Sequence, residues 1–230
     1  MNLLAIETAA SILSIAVLKN NEIFVSETIE GTRHSELVME LIDNLMKKAE
    51  LSPKDLNGVL CMGGPGSFTG LRIGYAVAKG LSLSLSIPFA SVPTLECLVC
   101  GERFKQGVTL AVIDARKNAW FNAFFKDGKR LTEDMDSELL QITEEIKQYV
   151  KDGKITLTGY GSQTLYETLP DELKININLV NENKGYAKEL IAIAEDKKLF
   201  SGDCNAYLYS GPNYIRKTDA EIALASSQSP

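Results

Sequence analysis

The segment Gly63-Gly64-Pro65-Gly66-Ser67-Phe68-Thr69-Gly70, running on into Leu71-Arg72-Ile73-Gly74, is where this sequence comes nearest to a ligand-binding motif. A glycine turn opening onto a helix exposes backbone N–H groups that can hold a phosphate. It is not a P-loop, because no Gly-Lys-Ser/Thr follows at the required spacing. It is not GxGxxG either, because after Gly64 and Gly66 the third position is Thr69. Two readings stay open, a phosphate cradle without a lysine and a purely structural strand-to-helix turn.

Two carboxylates stand at the ends of apolar runs, Glu7 after Leu3-Leu4-Ala5-Ile6 and Asp114 after Leu110-Ala111-Val112-Ile113. Facing each other across a cleft, with Thr8 beside the first, such a pair could hold a metal–nucleotide complex or act as acid and base. The plainer reading is that each caps a strand end, and Arg116 stands close enough in sequence to pair with Asp114 locally. His34 is the single histidine of the chain, so an imidazole-based metal site or a Ser-His-Asp triad has one candidate only. Its place at a helix start suggests an exposed residue that solvates or caps that end. Cys97 and Cys100 form a CxxC in a helix after Pro93, read as ordinary thiols.

Gly66, Gly70, Gly74 and Ala78 recur every four residues and so lie along one side of a helix, with Ile73, Val77 and Leu81 beside them and Arg72, Tyr75 and Lys79 pointing the other way. Each interior glycine costs about 0.8 to 1 kcal/mol against alanine, so something must pack closely on this stripe. That something is either the protein's own sheet or a partner's helix.

Apolar strands over 2 to 7, 11 to 19 and 22 to 30 form a meander with a hairpin at Asn20-Asn21. The spacing of Leu37, Val38, Leu41, Ile42, Leu45 and Met46 predicts a helix over 34 to 50, with Thr32 as its N-cap and a further turn starting at Ser52-Pro53. A strand over 58 to 62 then leads through the glycine turn to a long helix, capped by Ser67 and reaching Leu85. Later elements are a helix over 143 to 151, a strand over 154 to 158, a helix over 162 to 169 closed by Pro170, a strand over 174 to 180 and a helix over 186 to 199. Strands alternating with helices through short connections predict an α/β fold. Setting Ile6-Glu7 over Ile113-Asp114 also sets Lys19 over Lys126 and Asn20-Asn21 over Asp127-Gly128, which favours two related lobes, 1–105 and 106–230.

The chain has 230 residues, with 24 Lys plus Arg against 30 Asp plus Glu and a formal net charge of −6. An acidic protein gains nothing from the counterion release that drives binding to phosphate backbones, so in any RNA pathway another subunit should supply most of the RNA affinity. The sequence begins without a signal-peptide pattern and has no membrane-spanning apolar run, which points to the cytoplasm. Four scattered cysteines are read as reduced.

Leu3-Leu4-Ala5-Ile6-Glu7-Thr8, Arg33-His34-Ser35, the Gly64 to Gly74 segment, Val92-Pro93-Thr94-Leu95, Ile113-Asp114-Ala115-Arg116 and Pro212-Asn213-Tyr214-Ile215-Arg216 together resemble the TsaB (YeaZ) family in order and spacing. Only about 130 to 205 carries little of its signature. The resemblance implies the duplicated actin, Hsp70 and sugar-kinase (ASKHA) fold, with two βββαβα-type lobes. It implies a non-catalytic scaffold that binds a TsaD-type catalytic subunit and, with a TsaE-type ATPase, supports threonylcarbamoyl transfer to adenosine 37 of tRNA. The isolated chain could form a homodimer. The catalytic relative carries a paired-histidine metal motif that a single histidine cannot supply. Glu7 stands where many family members have Asp, which weakens any nucleotide site built on Glu7, Thr8 and Asp114. No cofactor is expected beyond an adenine nucleotide held weakly or at an interface. The partner surface is placed on Leu37, Leu41, Leu45, Gly66, Ser67, Phe68, Gly70, Ile73, Gly74, Val77 and Leu81. The competing classes are a metallo- or glyco-peptidase, a weak nucleotide-binding phosphotransferase, and a self-associating binding protein.

Overall fold

The computed structural model describes residues 1–28, 33–201 and 208–216. Along β1 (Leu3–Glu7), Leu4 and Ile6 enter one core and Leu3 and Ala5 another, the two-residue period of a pleated strand. β1 pairs antiparallel with β2 (Leu13–Lys19), which pairs antiparallel with β3 (Glu22–Thr28). Asn20 and Asn21 sit at φ 49° and 67°, making the two-residue hairpin turn that asparagine tolerates best. α1 (His34–Lys48) lies over β2 and β3. β4 (Gly58–Met62) runs parallel to β1, and α2 (Phe68–Leu85) returns over β4 before β5 (Phe89–Val92) joins β4 in parallel. The sheet order is β3-β2-β1-β4-β5.

After α3 (Thr94–Leu98) the second sheet repeats this plan. β6 (Val108–Asp114) pairs antiparallel with β7 (Ala119–Lys126), whose outer edge carries β8 (Lys129–Arg130) and then β9 (Met135–Glu138). α4 (Leu139–Tyr149) leads to β10 (Ile155–Thr158), parallel to β6, and α5 (Ser162–Thr168) and α6 (Asp171–Lys174) lead to β11 (Ile177–Val180), parallel to β10. The order is β11-β10-β6-β7-β8. Two sheets of one topology, each with three antiparallel strands and two parallel ones, make this the duplicated α/β architecture of actin, Hsp70 and the sugar kinases.

The repeat is imperfect in an informative way. The hairpins correspond, Lys19 opposite Glu22 and Lys126 opposite Lys129, but Glu7 faces Ser14 whereas Asp114 faces Trp120, one residue out of step. The third strand of the second sheet is also broken into β8 and β9. β5, β9 and α6, each of four residues, had no counterpart in the periodicity. Lys174 ends a helical turn started after Pro170 instead of opening a strand, and α4 begins at Leu139, before the expected 143. Thr32, the expected cap of α1, lies outside the described residues, as does Cys204.

Three cores result. α1 and α2 cover Leu4, Ile6, Ile15 and Val59, and α4 and α5 cover Leu110, Val112, Trp120 and Leu157. Between the sheets lies a shared core in which Leu3, Ala5, Ala16 and Met62 meet Ala111, Ile113, Ala123 and Phe125. α7 (Ala187–Asp196), although it follows the second sheet, packs on the inner face of the first, and the alanines there leave room for it.

The glycine stripe of α2 is directed into the monomer. A Cβ at Gly70 would overlap the Thr8 carbonyl oxygen, one at Gly74 would lie 2.5 Å from Thr8 Oγ1, and one at Gly66 would lie 2.6 Å from the Ala9 carbonyl oxygen. The close partner is the chain's own β1–β2 turn, which corrects the placement of these three glycines on a partner surface. Tyr75 is buried too, edge-on to Phe89 with ring centroids 5.5 Å apart, and does not point outward with Arg72 as expected. Ser67 does cap α2, accepting the Gly70 N–H at 3.2 Å.

Gly70→Ala should therefore destabilise the chain by on the order of a few kcal/mol through overpacking. Gly80→Ala, on the same helix and facing open space, should stabilise it by roughly 0.8 to 1 kcal/mol. Urea denaturation of the two variants checks the contrast, and similar midpoints would show that α2 does not need this close approach.

Candidate functional site

β1 ends inside the protein. Because Glu7 continues the inner-face alternation of Leu3 and Ala5, its carboxyl is fully buried between the sheets. It accepts the backbone N–H of Tyr186 at the start of α7 and lies in hydrogen-bond contact with the Tyr160 hydroxyl. Tyr160 sits between Gly159 and Gly161, at φ 110° and 102°, in the turn after β10, and this geometry brings its side chain back under β1. Its hydroxyl also reaches the Lys184 carbonyl at 3.1 Å.

A single hydroxyl hydrogen cannot serve two acceptors, but a protonated Glu7 donating to Tyr160 frees that hydrogen for Lys184. Burial pushes the Glu7 carboxyl up to about 8, and the nearby charges of Glu189 and Glu27 add to the rise. The bonds from Tyr160 and Tyr186 oppose it. Burial, then Glu7 itself, raises the Tyr160 hydroxyl as well. At neutral pH Glu7 is thus a structural neutral acid joining β1, the second lobe and α7.

A cavity of about 850 Å³ opens between the lobes. Its walls are the β1–β2 turn from Ala9 to Ser11, the start of α2 at 65–69, the β6–β7 loop from Asp114 to Lys117, the glycine-flanked turn at Tyr160, and Asn213 to Arg216. Glu7 is not among the lining residues. Asp114 is, with its Oδ1 accepting the backbone N–H of Arg116 at 2.7 Å, a turn bond in place of the expected side-chain pairing. The two carboxylates therefore do not converge, and no acid–base pair is assembled. Thr8 is buried and donates its hydroxyl to the Gly70 carbonyl at 2.7 Å. Placing Glu7 and Thr8 at an open nucleotide site is corrected by this geometry.

Four N–H groups of the glycine turn are committed to internal bonds, and those of Gly66, Phe68 and Thr69, on the cavity wall, are not among them. The Gly63 N–H bonds to the Val92 carbonyl, Gly64 N–H to the Thr94 hydroxyl, Ser67 N–H to the Ala9 carbonyl and Gly70 N–H to Ser67 Oγ. These internal bonds favour the structural reading. His34 is buried, not exposed, with Nε2 3.3 Å from the Ser11 carbonyl. Among the described residues no three His, Cys, Asp or Glu side chains gather as a metal site. Cys61, Cys97 and Cys100 are free thiols, each held above the ordinary range chiefly by burial, which makes them poor nucleophiles.

The expected partner residues separate into two groups. Leu45, Gly70 and Gly74 are buried in the monomer, Gly66 abuts Ala9, Ser67 caps the helix, and Phe68 stacks on Tyr214 with centroids 4.6 Å apart. Leu37 and Leu41 on one flank of α1, with Ile73, Val77 and Leu81 on one flank of α2, are half-buried around the same outer core. They form a part-exposed apolar seam. Sequence reasoning missed Tyr160, whose signal was the Gly-Tyr-Gly spacing directly after a strand, and it gave no task to the Asn213 to Arg216 motif.

A model of the family described as "TsaD: tRNA N6-adenosine threonylcarbamoyltransferase" matches residues 25–224. The Bacillus subtilis protein named "tRNA threonylcarbamoyladenosine biosynthesis protein TsaB" is 28% identical over 235 residues, covering 99% of this chain and 100% of its own. The chain belongs to this threonylcarbamoyltransferase family, in its TsaB (YeaZ) line. An Escherichia coli TsaB is 34% identical over 118 residues, 50% of this chain and 51% of its own. The solved structure of YeaZ from Pseudomonas aeruginosa shares the fold with a TM-score of 0.75 at 20% identity, covering 93% of this chain and 99% of that one.

A group whose folded value is raised above its unfolded value of 4.5 stabilises fully below that value, and the contribution is lost as pH rises toward about 8. The stability of the protein should fall across this window by on the order of a few kcal/mol from Glu7. In Glu7→Gln, whose amide supplies the same donor and acceptor as the neutral acid, that fall should be largely absent. Urea titrations at pH 5 and pH 8 measure it, and equal pH slopes for the two proteins would refute a neutral Glu7.

Proposed function

We propose that the chain is a non-catalytic binding subunit in the synthesis of threonylcarbamoyladenosine in tRNA. Its direct partner is a TsaD-type catalytic subunit, a TsaE-type ATPase completes the assembly, and tRNA is reached only through the complex. The family names support the pathway, and the site supports the role. The carboxylate of β1 is an internal hydrogen-bonding group, and a single histidine cannot form the paired-histidine metal motif of the catalytic relative. A formal charge of −6 is a poor basis for binding tRNA alone. No helix among the described residues is long and apolar enough to cross a membrane, and a tRNA-modifying role supports a cytoplasmic location.

The observation that carries the proposal is the seam of Leu37, Leu41, Ile73, Val77 and Leu81. Since the glycine side of α2 is used against Thr8, this flank is what the helix offers outward alongside α1. A stable partner on it would bury on the order of 1,200 to 2,000 Å² in total. The TsaD-type protein has a related fold, so a second copy of this chain would compete with it for the seam, giving a homodimer when the partner is missing.

Val77→Glu and Leu41→Glu should each weaken co-elution with the same organism's TsaD-type protein by about thirtyfold or more, as loss of a central apolar anchor does. Circular dichroism should stay native, and self-association should weaken in parallel. Asp114→Ala, in the cleft, should bind as the wild type does. Normal binding by both seam variants, or loss of binding in the cleft variant, would move the interface elsewhere.

A further inference from the structure

Residues 208–216 run across the cleft mouth and are attached on both sides of it. On the first lobe, Lys79 of α2 donates to the carbonyls of Leu208 at 2.8 Å and Ser210 at 2.5 Å. Asn213 donates its backbone N–H to the Gly63 carbonyl at 2.7 Å, and its own carbonyl oxygen would lie only 2.6 Å from a Cβ at Gly64, whose φ is 101°. Tyr214 stacks on Phe68, and Arg72 Nε reaches its hydroxyl at 3.4 Å.

On the second lobe, Arg216 makes a two-point bond to the Asp136 carboxylate at 2.7 and 2.6 Å and donates to the Ala115 carbonyl at 2.7 Å. Asn213 Nδ2 reaches Asp134 at 3.2 Å. A paired guanidinium–carboxylate contact fixes orientation as well as distance. Asp136 belongs to β9, the detached half of the broken third strand.

We infer that residues 208–216 are a latch that fixes the spacing of the two lobes at the mouth of the cleft, and that the glycine-rich turn is the seat of this latch. The lobes are already joined at the cleft floor by the shared core and by Glu7 with Tyr160. A second tie at the opposite end removes the hinge by which a two-lobed protein closes on a ligand. Gly64 then serves close backbone approach by Asn213, and the free chain keeps one cleft aperture. Opening the cleft requires the Arg216–Asp136 pair to break.

Hydrogen exchange by mass spectrometry and small-angle scattering on the full chain test the latch, with Arg216→Ala and Asp136→Asn as variants. Both should raise amide exchange about tenfold or more not only in 208–216 but at both lips, 63–69 and 115–118, by local opening. Both should enlarge the radius of gyration while exchange in α4 and α5 stays at the wild-type rate. Faster exchange confined to 208–216 in either variant would overturn the latch. So would a rise spread through α4 and α5 in both, which would make these residues part of general stability.

Discussion

α2 lies so close to the turn after β1 that position 70 has no room for any side chain against the Thr8 carbonyl. The rest of the first lobe is arranged around that approach. Gly74 extends it along the helix, at a cost of about 0.8 to 1 kcal/mol in helix propensity, and Gly66, before the Ser67 cap, extends it to Ala9. The offsetting contributions are the Thr8 hydroxyl bonded to the Gly70 carbonyl, the Ser67 cap, and burial of Leu71, Tyr75 and Ala78. With one side of α2 fixed, its two flanks acquire separate tasks. The flank bearing Phe68, Arg72 and Lys79 receives residues 208–216, and the flank bearing Ile73, Val77 and Leu81 turns toward α1.

The polar groups near the cleft follow the same inward pattern. In this fold the end of β1 is a natural place to present a carboxylate to a ligand, but Glu7 is drawn behind the cleft wall by the Tyr186 N–H and the Tyr160 hydroxyl. The N–H groups of Gly63, Gly64 and Ser67 are engaged by Val92, Thr94 and Ala9. Glu7, which would do chemistry in an enzyme, ties the two lobes together here, and the apolar α1–α2 seam stays available on the outer face. That distribution suits a protein whose work is to hold another protein.

Much of the fold was legible because it rests on long periodic segments and on turn chemistry. The two-residue period of β1 and β2, the helical spacing from Leu37 to Met46, and Asn20-Asn21 and Asp127-Gly128 each carry a local physical signal. β5, β9 and α6 carry none of comparable strength, whereas β10, equally short, shows the Ile-Thr-Leu-Thr alternation of a strand. The direction of the glycine stripe was not legible either. Spacing by four shows that something packs closely, but whether Thr8 or a partner does so depends on a contact between residues about sixty positions apart in sequence. The burial of His34 and Glu7 was hidden for the same reason. Tyr160 and Tyr186, which enclose Glu7, follow it in the chain by 153 and 179 residues.

The most direct measurement is the threonylcarbamoyladenosine content of tRNA in a strain lacking its own copy of this gene, supplied with variants confirmed to accumulate in folded form. If the protein works by holding its partner on the α1–α2 seam, Ile73→Asp leaves the modification low, while Asp114→Ala and Glu7→Gln restore it. Restoration by Ile73→Asp together with failure of Asp114→Ala would contradict the account and return function to the cleft.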